Sequence, residues 1–465
     1  MIYIEVDYML KKLFAPTDMT VGSPWKSILI FTLPMLIGNI AQQLYNTVDS
    51  IVVGKYIGDN AFGAVGTAMP LLNLLLVLFM GVSTGAGVMV AQYFGAKSRE
   101  KLSYTVGNAI TLTAICSILL IVIGVPGLRP MMSLLKVKPE HFEWCYDYLM
   151  ISIIGIAGMG YYNILSGIIR GMGDSVSALI YLLIAVGTNI VLDVLFVVQF
   201  GMEVGGVALA TIISQIFSSA LCLVKLSKMK NNFDFGLKYL KPKKEYMMKI
   251  ITLGVPSGLT QAIFSSAMLI VQGLTNSFET NFVNANIIIM RVDGFAMMPN
   301  FSFGMALTTY AGQNVGAKLY DRVTKGAKHG TLMAFACSAI ITVVILFFGK
   351  GLMGIFTETK ELVDLSYYLM LILAPGYLAV AITQGLSGIM RGAGDTMTPM
   401  WISLITTVAL RVPLAYGICE FTKTPLLPEG RYECIQISLL ASWVIGAVLT
   451  VIFYARGKWK TKAIQ

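Results

Sequence analysis

One nine-residue phrase occurs twice in this chain of 465 residues, and the distance between its copies constrains the fold. The phrase begins at Ser166 as Ser-Gly-Ile-Ile-Arg-Gly-Met-Gly-Asp and returns at Ser387 as Ser-Gly-Ile-Met-Arg-Gly-Ala-Gly-Asp, a shift of 221 positions. A second match, Gln92 against Gln313, keeps the same shift. The period is far longer than that of a solenoid repeat, so the two matches indicate that a whole half-protein was duplicated.

The composition of the chain excludes a large soluble domain. Hydrophobic residues make up 56% of the chain and charged residues only 12%, with a mean hydropathy of +0.75. Soluble domains carry about 25% charged residues. Apolar runs long enough to cross a roughly 30 Å hydrocarbon layer as a helix recur along the whole length. The composition therefore predicts an integral membrane protein.

The apolar runs predict an all-α integral membrane fold with twelve transmembrane helices, six in each half. Six is an even number, so both halves enter the membrane from the same side and form two parallel-repeat six-helix bundles. The twelve predicted spans are 27–52, 61–92, 104–128, 143–169, 175–199, 205–228, 246–276, 282–312, 326–350, 361–390, 398–418 and 434–456.

The distribution of positive charge predicts the orientation of these spans. The chain has a net charge of +10, and most of its 34 Lys and Arg residues fall on one side of the predicted membrane. The loop between spans 6 and 7 is the most basic. This is the positive-inside pattern, which places both termini in the cytoplasm and argues against nucleic-acid binding. The first residues lack the pattern of a cleavable signal peptide, so span 1 is expected to serve as the insertion signal.

These spans divide the chain into five predicted regions. A cytoplasmic N-terminal segment precedes an N-lobe of spans 1–6, a cytoplasmic linker, a C-lobe of spans 7–12 and a cytoplasmic tail. In that order, the predicted regions are 1–25, 26–228, 229–245, 246–456 and 457–465.

Motifs for nucleotide hydrolysis and metal binding are absent from the sequence. There is no Walker A motif, no G-x-S-x-G motif and no Cys/His cluster with metal spacing, and the chain has only 2 His residues. We expect no enzyme activity, no cofactor and no resident metal, so uphill transport would draw on an ion gradient. Cys419 and Cys434 flank the last external loop, and a disulfide and two free thiols are both compatible with that spacing.

The repeated phrase ends in a turn whose residues suit helix termini. Gly173 and Gly394 follow predicted helix ends and can adopt the left-handed conformation of a C-cap. Asp174 and Asp395 can then cap the next helix. We expect a structural role for this turn, with a cytoplasmic gate as the alternative.

Span 1 carries an ionisable residue inside the predicted membrane. Gln42, Tyr45, Asn46 and Asp49 step by three and four, which puts them on one helix face. Pro34 lies earlier in the same span and predicts a kink or hinge. A charge at mid-helix costs about 2.5–3.5 kcal/mol on insertion, so Asp49 is a functional candidate, with a hydrated position at the outer interface as the alternative.

Span 5 carries the second candidate. Asn189 and Asp193 are four residues apart and share a face, and Thr211 on span 6 completes an oxygen-lined pocket if these helices meet Asp49. Burial disfavours a charged carboxylate, and a neighbouring carboxylate disfavours it further, so the pair can bind and release a proton. The same oxygens suit a hard cation such as Na⁺. The residues favour neither ion over the other.

The second half lacks this acidic pair. Val271 and Leu414 stand at the positions equivalent to Asp49 and Asp193, whereas span 8 carries Arg291 and Asp293. The asymmetry predicts that one half couples to the ion and the other shapes the substrate cavity. The sequence assigns no role to Arg411 on span 11.

In this order, the motifs resemble those of the multidrug and toxic compound extrusion (MATE) transporters, within the multidrug/oligosaccharidyl-lipid/polysaccharide exporter superfamily. The resemblance rests on Leu33-Pro34 and Asp49, on Gln92 to Lys97, on the two Arg-Gly-x-Gly-Asp turns and on Asn189 to Asp193. It covers nearly the whole chain. It implies a V-shaped pair of six-helix bundles that exchange protons or sodium for organic cations.

The resemblance is closer to the DinF-like branch, whose ion site lies in the N-lobe, than to the NorM-like branch, because spans 7 and 10 have no acidic residue in their interiors. It implies an ion-coupling site and a bend at Pro34 when the N-lobe acids are protonated. The ion-coupling candidates are Asp49, Asn189, Asp193 and Thr211. The substrate or cavity candidates are Gln42, Tyr45, Asn46, Tyr148, Asn163, Gln261, Arg291 and Asp293.

The function predicted from these features is secondary active multidrug efflux, with H⁺ or Na⁺ exchanged for amphipathic organic cations by alternating access. The alternative within the superfamily is a lipid-linked oligosaccharide flippase, and a membrane sensor or scaffold is a third possibility. We expect a monomer in the cell inner (plasma) membrane, with membrane lipids and small organic cations as partners.

Overall fold

The computed structural model describes residues 16–134 and 137–464, and within these ranges the chain is helical apart from turns and one isolated β-bridge between Thr424 and Leu427. The predicted all-α fold is confirmed. The first fifteen residues of the predicted N-terminal segment 1–25 lie outside the described residues.

All twelve predicted spans correspond to one, two or three consecutive helical segments in the described residues. In chain order the spans are Pro24–Tyr56, Asp59–Gly95, Arg99–Leu134, Pro139–Ile154 with Ile156–Gly171, Ser175–Asp193 with the π-helix Val194–Gln199, Glu203–Lys228, Lys244–Thr275, Thr280–Gly316, Tyr320–Gly354, Lys360–Leu373 with Gly376–Gly392, Met397–Ser403 with the π-helix Leu404–Leu410 and Arg411–Phe421, and Cys434–Ala455.

Most of these spans are apolar enough to cross a membrane on length and composition alone. Among the described residues, 9 helices meet that standard, and two bent pairs raise the number to 11. The remaining span is Thr280–Gly316, which carries Arg291 and Asp293. The span that falls short of this standard is thus the one that carries two ionisable side chains.

Spans 4 and 10 are bent, although the sequence predicts each as a single helix. Span 4 turns by 54° between Ile154 and Ile156, and span 10 turns by 47° between Leu373 and Gly376. Pro375 lies in the second bend and cannot donate the backbone hydrogen bond that a straight helix needs at that position. In the first bend, a side chain at Gly155 would collide with Ile212. The two bends occupy equivalent places in the repeat.

The glycines of the repeated phrase allow equivalent helices to pack closely in each half. A Cβ at Gly171 would lie 2.7 Å from the carbonyl oxygen of Gly87 on span 2. A Cβ at Gly392 would collide with the carbonyl oxygen of Thr308 on span 8. Spans 4 and 10 therefore cross spans 2 and 8 at backbone contact, the small-residue packing typical of membrane helices.

The turn that ends the repeated phrase has the structural role that the sequence predicts. Gly173 and Gly394 adopt φ values of 90° and 99°. Asp174 accepts the Ser177 N–H at 2.9 Å and also pairs with Lys225 at 3.0 Å. In the second half, Asp395 accepts the Thr398 N–H at 3.1 Å and the Thr398 hydroxyl at 2.7 Å.

The chain forms two compact units, whose limits differ from the predicted lobes. One unit contains Leu33–Gly258 with the N-terminal residues up to Met19, and the other contains Thr20–Thr32 with Leu259–Gln465. The start of span 7 thus belongs to the first unit, where a Cβ at Gly81 of span 2 would lie 2.9 Å from the Gly254 carbonyl oxygen. The predicted lobes 26–228 and 246–456 remain a prediction about membrane topology.

The predicted linker 229–245 is docked on span 3 within the first unit. Arg99 binds Asp234 through Nε at 3.1 Å, and the Asp234 N–H donates to Ser103 Oγ at 2.8 Å. Further along, the Lys243 N–H donates to Asn108 Oδ1 at 2.7 Å, and the Lys243 ammonium lies 3.4 Å from the Tyr104 ring centroid. The linker is therefore an ordered part of the first unit.

Candidate functional site

The polar residues predicted on spans 1 and 5 meet in the first unit. Asp49, Asn189 and Asp193 are each at most 1% exposed. Asn189 and Asp193 face span 1 together because four residues make about one helical turn. The hydrated position at the outer interface, which was the alternative for Asp49, does not fit a side chain that is 1% exposed.

The amide of Asn189 bridges the two carboxyl groups. An amide oxygen directed at two carboxylates would be repelled, so the hydrogen-bond network places the nitrogen there. In this orientation Nδ2 donates to Asp49 Oδ1 at 2.9 Å and to Asp193 Oδ2 at 3.1 Å, while Oδ1 accepts the Thr211 N–H at 3.3 Å. The carboxyl groups also lie within side-chain hydrogen-bond reach of each other. Asn189 therefore holds the two acids together.

Two hydroxyl groups border this cluster. Tyr45 OH and Thr211 Oγ1 are 2.9 Å apart and both side chains are buried. Tyr148 is 1% exposed and lies close enough to Asp49 and Asp193 to interact with both electrostatically. The structure thus brings six predicted residues, Asn189 among them, into one buried polar site.

The cluster contains hydrogen-bonding capacity that the protein itself does not satisfy. Asp49 Oδ2 and Asp193 Oδ1 are buried and accept no hydrogen bond from any described residue. Two adjacent buried carboxylates without a counter-charge are strongly disfavoured. A proton shared by the pair, or a cation bound between them, removes that cost.

The remaining first-half candidates and Gln261 lie at varied exposure. Gln42 and Asn163 are half-buried, and Asn46 and Gln261 are exposed. Pro34 lies inside a helix that continues from Pro24 to Tyr56. The polar stripe predicted on span 1 is therefore split, with Tyr45 and Asp49 turned into the first unit and Asn46 turned away from it.

A second polar cluster lies in the second unit. The Tyr377 hydroxyl donates to Asp293 Oδ1 at 3.0 Å, and Arg411 interacts electrostatically with Asp293. Arg411 is 8% exposed, whereas Arg291 is exposed. Tyr377 is not among the residues predicted from the sequence. Its one signal there is a tyrosine two residues after Pro375, the proline in the bend of span 10.

The described residues hold no group of three or more His, Cys, Asp and Glu side chains that is suited to a metal ion. Cys419 and Cys434 are both buried free thiols, which decides between the two states left open by their spacing. The Cys419 thiol donates to the Glu429 carbonyl oxygen at 3.0 Å.

A comparison with protein-family models finds the MatE family twice in this chain. The model matches residues 34–195 and again residues 256–417. The two matches cover both copies of the duplicated half, and the first one includes Asp49, Asn189 and Asp193.

Curated relatives align along nearly the full length. The chain is 27% identical to "Probable multidrug resistance protein YoeA" of Bacillus subtilis, over 95% of this chain and 96% of that protein. It is 24% identical to "Probable multidrug resistance protein NorM" of Thermotoga maritima, over 98% of this chain and 97% of that protein. These relatives carry multidrug-resistance names.

The fold also matches a solved structure described as the outward-facing conformation of a multidrug resistance MATE family transporter of the MOP superfamily. The TM-score is 0.87, the sequence identity is 22%, and the match covers 95% of this chain and 97% of that one. At this identity the match supports the twelve-helix fold.

Proposed function

This chain belongs to the MatE family, and on that premise we propose that it is a secondary active multidrug efflux transporter. It exchanges H⁺ or Na⁺ for amphipathic organic cations by alternating access. The observation that carries the proposal is the buried Asp49–Asn189–Asp193 cluster, which has two carboxylate oxygens that no described residue satisfies. The multidrug-resistance names of the curated relatives support the substrate class.

In the proton form of the exchange, one proton neutralises half of the charge in the carboxyl pair. The protonated carboxyl donates a hydrogen bond to the neighbouring carboxylate, while the Asn189 amide keeps the two groups next to each other. Loss of the proton leaves two buried negative charges side by side, which favours a conformation that separates or hydrates them. The proton thus shifts the equilibrium between two states because it binds one of them more tightly.

In the sodium form, the same oxygens act as ligands. Carboxylate and hydroxyl oxygens suit a hard cation, and Asp49, Asp193 and Thr211 supply them from three different spans. Binding a cation here also removes the repulsion between the two acids. Both forms place the coupling ion between spans 1 and 5.

Pro34 is the proposed hinge through which the ion site acts on span 1. Proline cannot donate the backbone hydrogen bond to the carbonyl group four residues earlier, so the helix is weakened at that point. Asp49 lies on the same helix, 15 residues further along the chain. A change in the charge of Asp49 can therefore be relieved by bending at Pro34, while the rest of the helix stays intact.

The location and state of the protein follow from the same proposal. We place it in the cell inner (plasma) membrane with both termini in the cytoplasm, as a monomer, because the positive charges concentrate on one side and two repeated halves within one chain can enclose a pathway. Assignment to the DinF-like branch is part of the proposal and rests on the acidic pair of the first half.

The test is efflux of a fluorescent lipophilic cation from proteoliposomes. A pH gradient and a Na⁺ gradient are imposed separately, and Asp49→Asn protein of matched folding serves as the control. Release driven by either gradient in the wild type, and by neither in the variant, supports the exchange and identifies the ion. Silence of folded wild-type protein under both gradients contradicts it and favours the lipid-linked oligosaccharide flippase.

A further inference from the structure

Arg411 is a buried cation with an incomplete set of partners. Its side chain belongs to span 11, directly after the π-helix Leu404–Leu410, and is 8% exposed. Its Nε donates to none of the described residues, and none of their acidic groups lies close enough to form a direct ion pair with the guanidinium. π-Helical turns within α-helices are frequent at functional sites.

Burial of a guanidinium in this way is costly unless an anion compensates it. A buried charge needs both a counter-charge and hydrogen-bond acceptors. The guanidinium offers five N–H donors in a planar fork, which matches the two oxygens of a carboxylate. The side chain is thus suited to bind an anionic group that the protein itself does not supply.

Asp293 lies near enough to attract Arg411, but one of its oxygens is hydrogen-bonded to another residue. Asp293 Oδ1 accepts the Tyr377 hydroxyl at 3.0 Å. Tyr377 is held in place by Met370 Sδ, 3.3 Å from its hydroxyl, and by the Trp443 ring, whose centroid is 5.8 Å away. Asp293 therefore compensates the charge of Arg411 from a distance and does not occupy its Nε–H donor.

The cluster lies deep within the helices. Asp293 follows the start of its helix at Thr280 by 13 residues, and Arg411 precedes the end of its helix at Phe421 by 10 residues. At a rise of 1.5 Å per residue, each residue lies about 15–20 Å from that end of its helix. Because successive spans cross the membrane in opposite directions, these two helix ends lie on the same side of the membrane. That depth corresponds to the middle of the hydrocarbon layer, where an unused charge is most costly.

We propose that Arg411 is an anion-binding residue: it binds a single anionic group, either a halide or the carboxylate of an organic molecule, next to the Asp293–Tyr377 pair. The proposal goes beyond cation exchange, because it concerns equilibrium binding in the second unit and requires no ion gradient. Asp293 repels this ligand while Arg411 attracts it, so the two residues have opposite effects on its affinity.

The experiment measures binding of radiolabelled benzoate to the purified full-length protein. The measurement is repeated with chloride and, separately, with gluconate as the competing anion. Arg411→Gln is expected to weaken binding about tenfold or more, since a hydrogen-bonded charge pair is lost. Arg411→Lys, which keeps the charge without the fork, is expected to bind with an affinity between those of the wild type and Arg411→Gln. Asp293→Asn is expected to tighten binding, which a merely structural role of Arg411 would not produce.

The control variant is Arg456→Gln, which removes the same charge from an exposed position at the end of span 12. It is expected to bind benzoate as the wild type does. Displacement of benzoate by chloride but not by gluconate identifies a halide site, and retention of benzoate in chloride identifies a site for organic carboxylates. Both outcomes support anion binding at Arg411.

Two results would overturn the proposal. One is folded wild-type protein that binds neither benzoate nor chloride in an Arg411-dependent way. The other has two parts. The Asp293→Asn variant binds benzoate no more tightly than the wild type, and the double variant Arg411→Gln with Asp293→Asn regains the thermal stability lost by each single change. That pattern would mean that Arg411 serves only to neutralise Asp293. If Arg411→Gln does not fold, the other two variants still test the proposal, because Arg411→Lys is expected to lower the affinity for benzoate and Asp293→Asn to raise it.

Discussion

The two halves of this chain share their packing but differ in their buried charge. In the first unit, Asp49 and Asp193 are held together by a neutral amide and have no nearby cation among the described residues. In the second unit, Asp293 has a tyrosine donor and lies in the field of Arg411. The first site brings together two acids of like charge, whereas the second brings together an acid and a base that form no direct ion pair. Duplication thus provided one scaffold twice, and divergence left a pair of buried acids in one half only.

The largest expected difference between the halves is in coupling. Asp49→Asn is expected to abolish gradient-driven efflux, because an amide can neither release a proton nor supply a carboxylate to Na⁺. Asp293→Asn is expected to leave the dependence on the gradient in place, whatever its effect on affinity. Proteoliposome efflux with and without the gradient measures both. Equal loss of coupling in the two variants would mean that the halves are not functionally distinct.

The shared packing predicts equal effects in the two halves. Gly171→Ala and Gly392→Ala each push a methyl group into a backbone carbonyl group of the facing helix, so each is expected to destabilise its half by about 1–3 kcal/mol. Gly187 and Gly273 have open space where an added methyl group would lie and serve as matched helical controls, expected to be neutral or slightly stabilising. Thermal unfolding in one detergent compares all four. A large effect in only one half would break the equivalence.

Two tyrosines sharpen the contrast in charge. Tyr377→Phe removes a hydrogen bond to a carboxylate, worth about 1.5–3 kcal/mol, whereas Tyr45→Phe removes a bond between two hydroxyls, worth about 0.5–1.5 kcal/mol. We therefore expect Tyr377→Phe to lower the melting temperature more. Tyr56→Phe, at an exposed position, is the control. If Tyr45→Phe lowers the melting temperature more than Tyr377→Phe does, the Tyr377 hydroxyl does not donate to a charged carboxylate.

The smallest expected effect concerns the linker, which docks on the first unit alone. Arg99 hydrogen-bonds to Asp234 and holds the pKa of that carboxyl below its usual value. A lowered pKa means that the contact is complete at neutral pH and is lost as the pH falls through that lowered value, below about 4. Both side chains are nearly half exposed, so salt weakens the pair. Asp234→Asn is expected to speed hydrogen exchange of the linker amides modestly at neutral pH, and unchanged exchange would exclude a docking role.

Sequence patterns predicted the helices far better than the contacts between them. The fold class, the position of every span and the caps at Asp174 and Asp395 follow from local signals of hydropathy, glycine and turn residues. The bends in spans 4 and 10 were not predicted. Pro375 is a local signal for the second bend, whereas the first lies at Gly155, beside Ile212 of a neighbouring helix. The roles of the ion-coupling candidates in transport remain predictions.

By itself the sequence determined that this chain is a duplicated helical membrane protein with an acidic pair in one half only. Those properties depend on composition, on the repeat and on the 3.6-residue period, all of which are local or linear. Only the tertiary structure decided that Asp49 and Asp193 share one amide and that Asp293 faces Tyr377 and Arg411. The reason is physical: these partners come from different helices, and which of them meet depends on the crossing and bending of the spans.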